Sequence, residues 1–462
     1  MKTDERKTKL TRRSMLWLGG GTLGAIALAA CGQATMPAAT DDAPAAEEKE
    51  AEAKEPEPQA EPVTLDWALW GDSTWVEAAQ AGADAYTADN PNVTLNVLGV
   101  KDSPSVYITS WVAGSGPDIA MTWGVNLVQA GREGLLLDMD PFIKRDSFPM
   151  DDYIPFQLGA MRWPETGQYG LPMYINVYVL WYNRQVFDKK GLAFPDDNWG
   201  WDEYQDAMLR LTDRPNTVFG GVDAGWGRGI WKIVQNGGTI VDPENDRHAT
   251  FDSPEAIEAM EWVHARFHQD RSMVHGEEWA ALDRSKVQAL MQGTLATWEE
   301  GSWGPGQYSI DYPDNVADWD VVPLPQGPAA RATQGSIDAW VVWGNTKDPD
   351  TAWDFMKFLQ TDTYLDLQCQ IASIQHPRAS LQDRYISIMK ENFPALADKN
   401  LDAFAHPVRG KYAWPNGGLF RKDAEVFGIL AEAWQTAIVE DKITVAEAFT
   451  DGAARANALM AE

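Results

Sequence analysis

Hydrophobic and polar residues alternate in two different patterns along residues 63–462. Short runs with alternating or continuous apolar positions predict β-strands, and longer runs with apolar residues every three or four positions predict helices. At the start of this region the order is strand, helix, strand, helix, strand, which favours a parallel sheet covered on both faces. The predicted strands are 63–70, 93–100 and 118–121, and the predicted helices are 75–86 and 103–112.

The alternation continues to the end of the chain, with no internal repeat of 20–50 residues. It therefore predicts an α/β protein throughout. Further predicted strands are 177–182, 295–298 and 339–343, and further helices are 201–211, 253–268, 349–360, 424–440 and 445–460.

The N-terminus has the pattern of an export signal. Residues 1–13 are basic and residues 14–30 are uncharged, rich in Gly and Ala, as in a signal peptide over 1–30. Residues 28–31 (LAAC) resemble a lipobox, in which Cys31 carries the lipid, and residues 11–16 (TRRSML) resemble a twin-arginine signal. Met15 replaces the usual Phe, so the twin-arginine and general export routes both stay open. We expect a protein anchored by lipid to the outer face of the cell membrane, at the cell surface or in the periplasm.

Residues 31–62 have the composition of a disordered linker, because Ala, Pro and Glu dominate and no aromatic residue is present. The whole chain has 462 residues and a net charge of −30. Such an acidic protein repels polyphosphate, so nucleic acid is not an expected partner. The mean hydropathy is −0.36 and the chain has 2 cysteines, which argues against a multi-pass membrane protein and a disulfide-based fold.

Several short motifs follow one another in a recognisable order. They are AGSGPDI at 113–119, YGLP at 169–172 with LWYNRQVF at 180–187, MQGTLAT at 291–297 before GSW at 301–303, and KDPDTAWDF at 347–355. In this order they resemble the extracellular solute-binding proteins of carbohydrate ABC transporters, the family of maltose-binding protein.

The resemblance implies a periplasmic-binding-protein-like type II fold, in which two α/β lobes enclose a ligand cleft. Residues 63–172 and 335–377 would form the first lobe, and residues 178–330 and 380–462 the second. The chain would cross between the lobes near 172–178, 325–335 and 375–385. A monomer that captures a mono- or oligosaccharide, closes by hinge motion and delivers the sugar to a membrane permease is the implied function.

The 22 tryptophans suit this chemistry, because an indole covers the apolar face of a sugar ring while carboxylates and amides bind its hydroxyl groups. Ligands of open α/β sheets bind at the carboxyl ends of strands, and this rule selects the candidates. Only Trp303 follows from the resemblance itself. The predicted ligand-binding residues are Trp70, Asp72, Trp123, Tyr174, Asn176, Trp226, Trp231, Glu299, Trp303, Asp338 and Trp414. The patterns around Trp67, Trp181, Trp262, Trp340 and Trp353 instead predict core positions.

Other classes of function stay open at this point. The same fold could bind a polyamine or a glycerol phosphodiester, and the acidic body favours a cation. A glycosidase is disfavoured, because Glu299 and Glu300 are adjacent on a strand and should face opposite sides. His264 and His268 are expected on a solvated helix face rather than at a metal, and no cofactor is expected. Cys369 is expected to be a buried thiol, and Asp118 to brace a loop rather than bind ligand.

Overall fold

The computed structural model describes residues 61–71, 73–100, 104–162, 167–222, 228–274, 276–280, 285–415 and 417–461. The predicted signal peptide, the predicted lipidation site Cys31, nearly all of the linker, Asp72 and Trp226 lie outside the described residues. Residues Ala60–Glu462 form one compact unit. No helix among the described residues has the length and apolarity needed to cross a membrane.

Strands and helices alternate as the sequence pattern predicts. The strands are β1 Val63–Trp70, β2 Val93–Val100, β3 Ile119–Thr122, β4 Leu171–Pro172, β5 Tyr178–Asn183, β6 Gly221–Val222, β7 Val241–Asp242, β8 Asn245–Ala249, β9 Met273–Val274, β10 Thr297–Gly301, β11 Trp319–Pro323, β12 Thr333–Gly335, β13 Ala339–Val342 and β14 Ala413–Pro415. The helices are α1 Ser73–Asp89, α2 Ser105–Val112, α3 Gly124–Arg132, α4 Asp140–Asp146, α5 Pro155–Ala160, α6 Arg184–Lys190, α7 Trp201–Leu211, α8 Trp231–Gln235, α9 Pro254–His268, α10 Gly276–Ala280, α11 Lys286–Met291, α12 Pro305–Asp311, α13 Pro349–Phe358, α14 Asp362–Ala372, α15 Gln382–Asn392, α16 Asp402–Arg409, α17 Asp423–Trp434, a π-helical turn Gln435–Val439, and α18 Val445–Ala461.

The first lobe is built on a five-stranded sheet of described residues in the order β2-β1-β3-β13-β4. Strand β1 is parallel to β2 and β3, which confirms the parallel arrangement expected for the start of the chain. Strand β13, far along the sequence, enters antiparallel between β3 and β4. The core on this sheet includes Trp67 and Trp340, whose ring centroids lie 5.2 Å apart and which are fully buried.

The second lobe contains a three-stranded sheet of described residues in the order β10-β5-β11, and both pairings are antiparallel. The continued alternation of strands and helices therefore does not give a parallel arrangement in this sheet. Strand β10 begins two residues later than predicted and continues to Gly301, because its pairing with β5 runs through Glu299 and Glu300. Both glutamates thus lie inside the strand rather than beyond its end.

Local signals explain where several helices begin. Helix α9 starts after Ser253, whose Oγ accepts a hydrogen bond from the Ala256 amide at 3.2 Å, and Pro254 occupies its first turn. Helix α6 starts after Asn183, whose Oδ1 accepts from the Val186 amide at 3.0 Å. The caps place both helices against the second-lobe core.

Four of the five tryptophans predicted as core are fully buried, namely Trp67, Trp181, Trp340 and Trp353. The fifth, Trp262, is partly buried and packs on Trp201 with ring centroids 4.9 Å apart. The sequence pattern therefore identifies structural indoles but does not find all of them, because Trp111, Trp231 and Trp319 are also fully buried.

Candidate ligand-binding site

Four aromatic rings form a continuous series at the carboxyl ends of β1 and β3. Trp70 ends β1 and Trp123 directly follows β3, and their ring centroids lie 5.8 Å apart. Trp75, in the first turns of α1, lies 6.4 Å from Trp70 and 5.5 Å from Tyr174. Each ring meets the next edge to face, with interplanar angles of 69°, 73° and 85°. We call Trp123, Trp70, Trp75 and Tyr174 the first-lobe aromatic series.

Trp75 belongs to this series although the sequence prediction did not select it. Its helical spacing placed it at the start of the predicted helix 75–86. The sequence contained one sign of this role, because Trp75 follows Trp70, the last residue of β1, by only five residues.

Asp338 lies at the inner end of the series. Its side chain is buried and accepts hydrogen bonds from Tyr174 and Ser336. Burial raises the pKa of Asp338 to about 6, and these hydrogen bonds only partly oppose that rise. Burial, followed by the charge of Asp338, also raises the pKa of Tyr174 well above its usual value. A desolvated carboxylate next to aromatic rings is typical of a functional site.

A second group of rings lies in the other lobe. Tyr178, at the start of β5, has its ring centroid 4.6 Å from Trp231 and 5.6 Å from Trp303. Trp231 begins α8 and is fully buried, whereas Trp303 is partly buried. A side chain at Gly301 would place its Cβ 1.9 Å from the Trp303 ring, so glycine at this position lets the indole lie against the strand.

Glu299 forms an ion pair inside the second lobe. Its Oε1 lies 2.7 Å from Nζ of Lys232, and the two side chains are 1% and 3% exposed. The ammonium group also lies 5.1–5.7 Å from the ring centroids of Trp201, Tyr204 and Trp262.

Its neighbour Glu300 is directed elsewhere. Burial and then the charge of Glu300 raise the pKa of Tyr308, which packs against a different core cluster. The two carboxylates therefore serve opposite faces of β10, as expected for adjacent strand residues.

Buried amides and hydroxyls connect the segments where the chain was predicted to cross between lobes. Ser302 Oγ lies 3.1 Å from Asn176 Oδ1 and 2.9 Å from Gln375 Oε1. The backbone N–H of Asn176 donates to Ser336 Oγ at 3.1 Å. We call Asn176, Ser302, Ser336 and Gln375 the crossing network. Asn176, a predicted ligand-binding residue, is therefore hydrogen-bonded to other residues of the protein.

A loop after β14 contacts the first lobe. Trp414, in β14, pairs with Gln334 of β12 and is partly buried. The carboxylate of Asp423 accepts hydrogen bonds, each 3.0 Å long, from three consecutive backbone amides, those of residues 418–420. Arg132, at the end of α3, donates to the Phe420 carbonyl at 2.9 Å. This ordered loop therefore joins the two lobes in the described arrangement.

The other sequence candidates occupy structural roles. Asp118 braces its loop, since its carboxylate accepts from the Asp66 amide at 2.9 Å and from Thr346 Oγ1 at 2.7 Å. His264 pairs with Asp441 at 2.8 Å. Cys369 is buried, and burial raises the pKa of its thiol. Within the described ranges, no three His, Cys, Asp or Glu side chains are grouped to hold a metal ion.

Comparison with known proteins gives the same family as the sequence motifs. The model of the bacterial extracellular solute-binding protein family matches residues 72–365. A binding protein of Brucella abortus is 25% identical over 288 residues, which cover 60% of this chain and 66% of the relative, slightly less than two thirds of its length. An arabinooligosaccharide-binding protein of Halalkalibacterium halodurans is 24% identical over 195 residues, or 41% of this chain and 43% of the relative.

Solved structures agree on the fold. An ABC substrate-binding protein of Listeria monocytogenes in complex with cycloalternan superposes with a TM-score of 0.75 at 18% identity, covering 87% of this chain and 100% of that structure. Together with the two-lobed architecture, the family match over more than half of the chain establishes its membership. The chain belongs to the bacterial extracellular solute-binding protein family and has its periplasmic-binding-protein-like type II fold.

Proposed function

We propose that this protein captures a mono- or oligosaccharide in the cleft between its lobes and delivers it, chemically unchanged, to an ABC permease. The observation that carries the proposal is the first-lobe aromatic series ending at the buried Asp338. The names of its relatives support it, since one binds arabinooligosaccharides and one was solved in complex with cycloalternan.

The chemistry of the site fits a neutral polyhydroxylated ligand. Indole and phenol rings cover the apolar C–H face of a sugar, and Asp338 supplies acceptors for its hydroxyl groups. Trp303 and Tyr178, in the second lobe, supply a further pair of aromatic rings with centroids 5.6 Å apart. A ligand held from both sides stabilises the closed form, because it makes more contacts when the lobes are together.

The loop ordered by Asp423 contributes to this closed form. Its contact with Arg132 joins the lobes without using any of the predicted ligand-binding residues. Hinge opening would break this contact and expose the site. Closure of the two lobes would restore the contact.

The direct test is a titration of the full chain with sugars, followed by tryptophan fluorescence and calorimetry. We expect a saturable response to one class of saccharide and recovery of that saccharide intact. The Trp303→Ala variant should bind it more than tenfold more weakly. No response to any saccharide, or release of new reducing ends, would contradict the proposal.

A second candidate is an organic cation such as a polyamine. The specific observation in its favour is that a carboxylate among aromatic rings also suits an ammonium group. Adding spermidine and putrescine to the titration separates the two, because a response to these and to no sugar would keep the fold and replace the ligand. A glycerol phosphodiester has less support, since Arg331 donates to the Leu324 carbonyl and Arg409 pairs with Asp402.

We also propose that Cys31 carries a lipid that anchors the protein to the outer face of the membrane. The support is the lipobox-like LAAC at 28–31 behind a basic and then uncharged segment. A Cys31→Ser variant should leave the membrane fraction, and mass spectrometry of the wild-type N-terminus should find acyl chains. A variant that stays membrane-bound would contradict this anchor.

A further inference from the structure

Gln157 is a fully buried glutamine on α5, and its side chain bonds to two segments that are distant from each other in sequence. Its Nε2 donates to the Tyr174 carbonyl at 2.9 Å and to the Ser336 carbonyl at 2.8 Å. The orientation of the amide follows, because its oxygen in the same place would face two carbonyl oxygens. One side chain therefore uses both of its N–H donors to hold two main-chain segments together.

The two carbonyls lie in a gap of the main-chain pairing between these segments. On one side of the gap, the backbone N–H of Met173 donates to the Asp338 carbonyl at 3.0 Å. On the other side, the backbone N–H of Ser336 donates to the Asn176 carbonyl at 2.9 Å. Between these positions, Gln157 supplies the donors that a neighbouring strand would otherwise provide.

The two residues that Gln157 holds are also the partners of the Asp338 carboxylate. The hydroxyl groups of Tyr174 and Ser336 both donate to this carboxylate. Ser336 Oγ accepts from the backbone N–H of Asn176 at 3.1 Å, which leaves the hydroxyl proton of Ser336 for Asp338. All of these groups are buried, and a hydrogen bond weakens steeply when its geometry changes. A shift of either main-chain segment would therefore change the hydrogen bonds of Asp338.

We infer that Gln157 is a positioning residue of the ligand site, which holds Tyr174 and Ser336 where their hydroxyl groups donate to the Asp338 carboxylate. These two donors occupy part of the carboxylate and leave its remaining lone pairs for hydroxyl groups of a ligand. The inference rests on the proposed function, and it adds a residue that prepares the acceptor without contacting the ligand.

The test measures the pKa of Asp338 in the full chain without ligand. Aspartate labelled with carbon-13 at the side-chain carboxyl is followed by NMR, and the signal missing from Asp338→Asn identifies Asp338. The wild type should titrate at about 6. Gln157→Met keeps the length of the side chain but has no donors. Because hydrogen bonds to the ionised form lower a carboxyl pKa, their weakening should raise the pKa of Asp338 by about 0.5 or more.

The same variant gives a second measurement in the presence of ligand. A saccharide whose hydroxyl groups donate to Asp338 prefers the ionised carboxylate. In calorimetry, the pH at which saccharide affinity falls to half of its maximum should therefore rise in Gln157→Met together with the pKa of Asp338.

Gln235 provides a matched control for an effect on folding alone. It is also fully buried, and its Nε2 donates to the carbonyls of Pro325 and Ala332 at 3.0 and 2.8 Å. Gln235→Met therefore removes two bonds of the same kind that do not involve the partners of Asp338. Both variants should unfold at lower urea concentration than the wild type, but Gln235→Met should leave the pKa of Asp338 unchanged.

A double variant tests whether Gln157 acts through Ser336. Ser336→Ala removes one donor to Asp338 directly and should itself raise the pKa of this carboxyl. If Gln157 acts through that donor, the rise in Gln157→Met, Ser336→Ala should be smaller than the sum of the two single rises. Should Gln157→Met not fold, Gln157→Asn, whose amide is one carbon further from both carbonyls, gives the same comparison.

The failures of the two proposals are distinguishable. A pKa of Asp338 that does not change in the Gln157 variant, or that changes equally in Gln235→Met, overturns the inference whatever the ligand. Fully additive effects of the Gln157 and Ser336 substitutions also overturn it. If the pKa of Asp338 responds as described but no saccharide binds the wild type, the proposed function fails and the positioning of Asp338 by Gln157 stands.

Discussion

The Lys232–Glu299 pair allows a quantitative prediction about the second lobe. We consider the Lys232→Met variant, which keeps a long apolar side chain among the rings of Trp201, Tyr204 and Trp262 but removes the charge. Glu299 would then stay buried, with its side chain 1% exposed, and would lack the partner that lies 2.7 Å away in the wild type. The sequence prediction placed Glu299 at the ligand, so the same variant bears on the binding site.

The expected loss of stability follows from the geometry. Two unit charges 2.7 Å apart attract each other by about 6 kcal/mol at an effective dielectric constant of about 20. Part of this attraction offsets the cost of taking both ions out of water, and breaking a buried pair from one side costs about 3–5 kcal/mol. We expect Lys232→Met to lower the free energy of unfolding by about 3–5 kcal/mol. The lost contacts of the ammonium group with the aromatic rings contribute to this decrease.

The assay is urea unfolding of the full chain, followed by circular dichroism. The double variant Lys232→Met, Glu299→Leu removes both charges and should return to within about 1 kcal/mol of the wild type. Lys357→Met is the matched control, because Lys357 pairs with Asp146 at the surface and should cost less than about 1 kcal/mol. A Lys232→Met variant no less stable than Lys357→Met, or a double variant no more stable than Lys232→Met, would refute the reasoning. Retained saccharide affinity in the double variant would leave Glu299 with a structural role alone.

Three other substitutions give further expected outcomes. Gly301→Ala adds a Cβ that would lie 1.9 Å from the Trp303 ring, so the indole must move. Calorimetry should then find at least tenfold weaker saccharide binding. An unchanged affinity would show that the Trp303 ring is not part of the site. Asp338→Asn removes a buried carboxyl whose pKa is raised from 3.8 to about 6. The folded state therefore holds the proton more tightly than the unfolded chain, and wild-type stability falls as the pH rises from about 4 through 6. The asparagine variant should be up to about 3 kcal/mol more stable than the wild type at pH 7 but equal to it at pH 3, and a difference that does not vary with pH would contradict the assignment. Asp423→Ala leaves three loop amides without their acceptor and should cost about 2–3 kcal/mol in urea unfolding, whereas Asp423→Asn, which keeps one acceptor oxygen, should cost less.

Hydrophobic patterns in the sequence predicted the individual helices and strands well, because each pattern depends only on residues within one helix or strand. The apolar spacing and first-turn acids of α7 give the bounds Trp201–Leu211 directly, and the alternation of β2 gives Val93–Val100. Pairing between distant segments has no such signal. The antiparallel insertion of β13 between β3 and β4 depends on packing of the whole lobe, as does the extension of β10 along β5.

The candidate site shows the same division. The rule that ligands bind at strand ends selected Trp70 and Trp123, and the structure brings their rings together. It passed over Trp75, because helical spacing does not distinguish a tryptophan that faces a core from one that supports a neighbouring ring. Trp231 follows a glycine-rich stretch and suggested a loop, yet it begins α8 and is fully buried. Whether a ring is accessible depends on contacts that only the folded chain defines.

The crossing network has a consequence for how the opening of the lobes would be controlled. Ser302 Oγ bonds to both Asn176 and Gln375, so the hydrogen bonds of the first and third predicted crossing segments share one atom. Asn176 also bonds to Ser336, which directly follows the second crossing segment. Bending one segment therefore disturbs the partners of the others, and the three should move as one mechanical unit. A change at Ser302 that breaks these hydrogen bonds would then alter the ratio of open to closed molecules. Apparent affinity could in this way evolve through the hinge, with the sugar-contacting surface left unaltered.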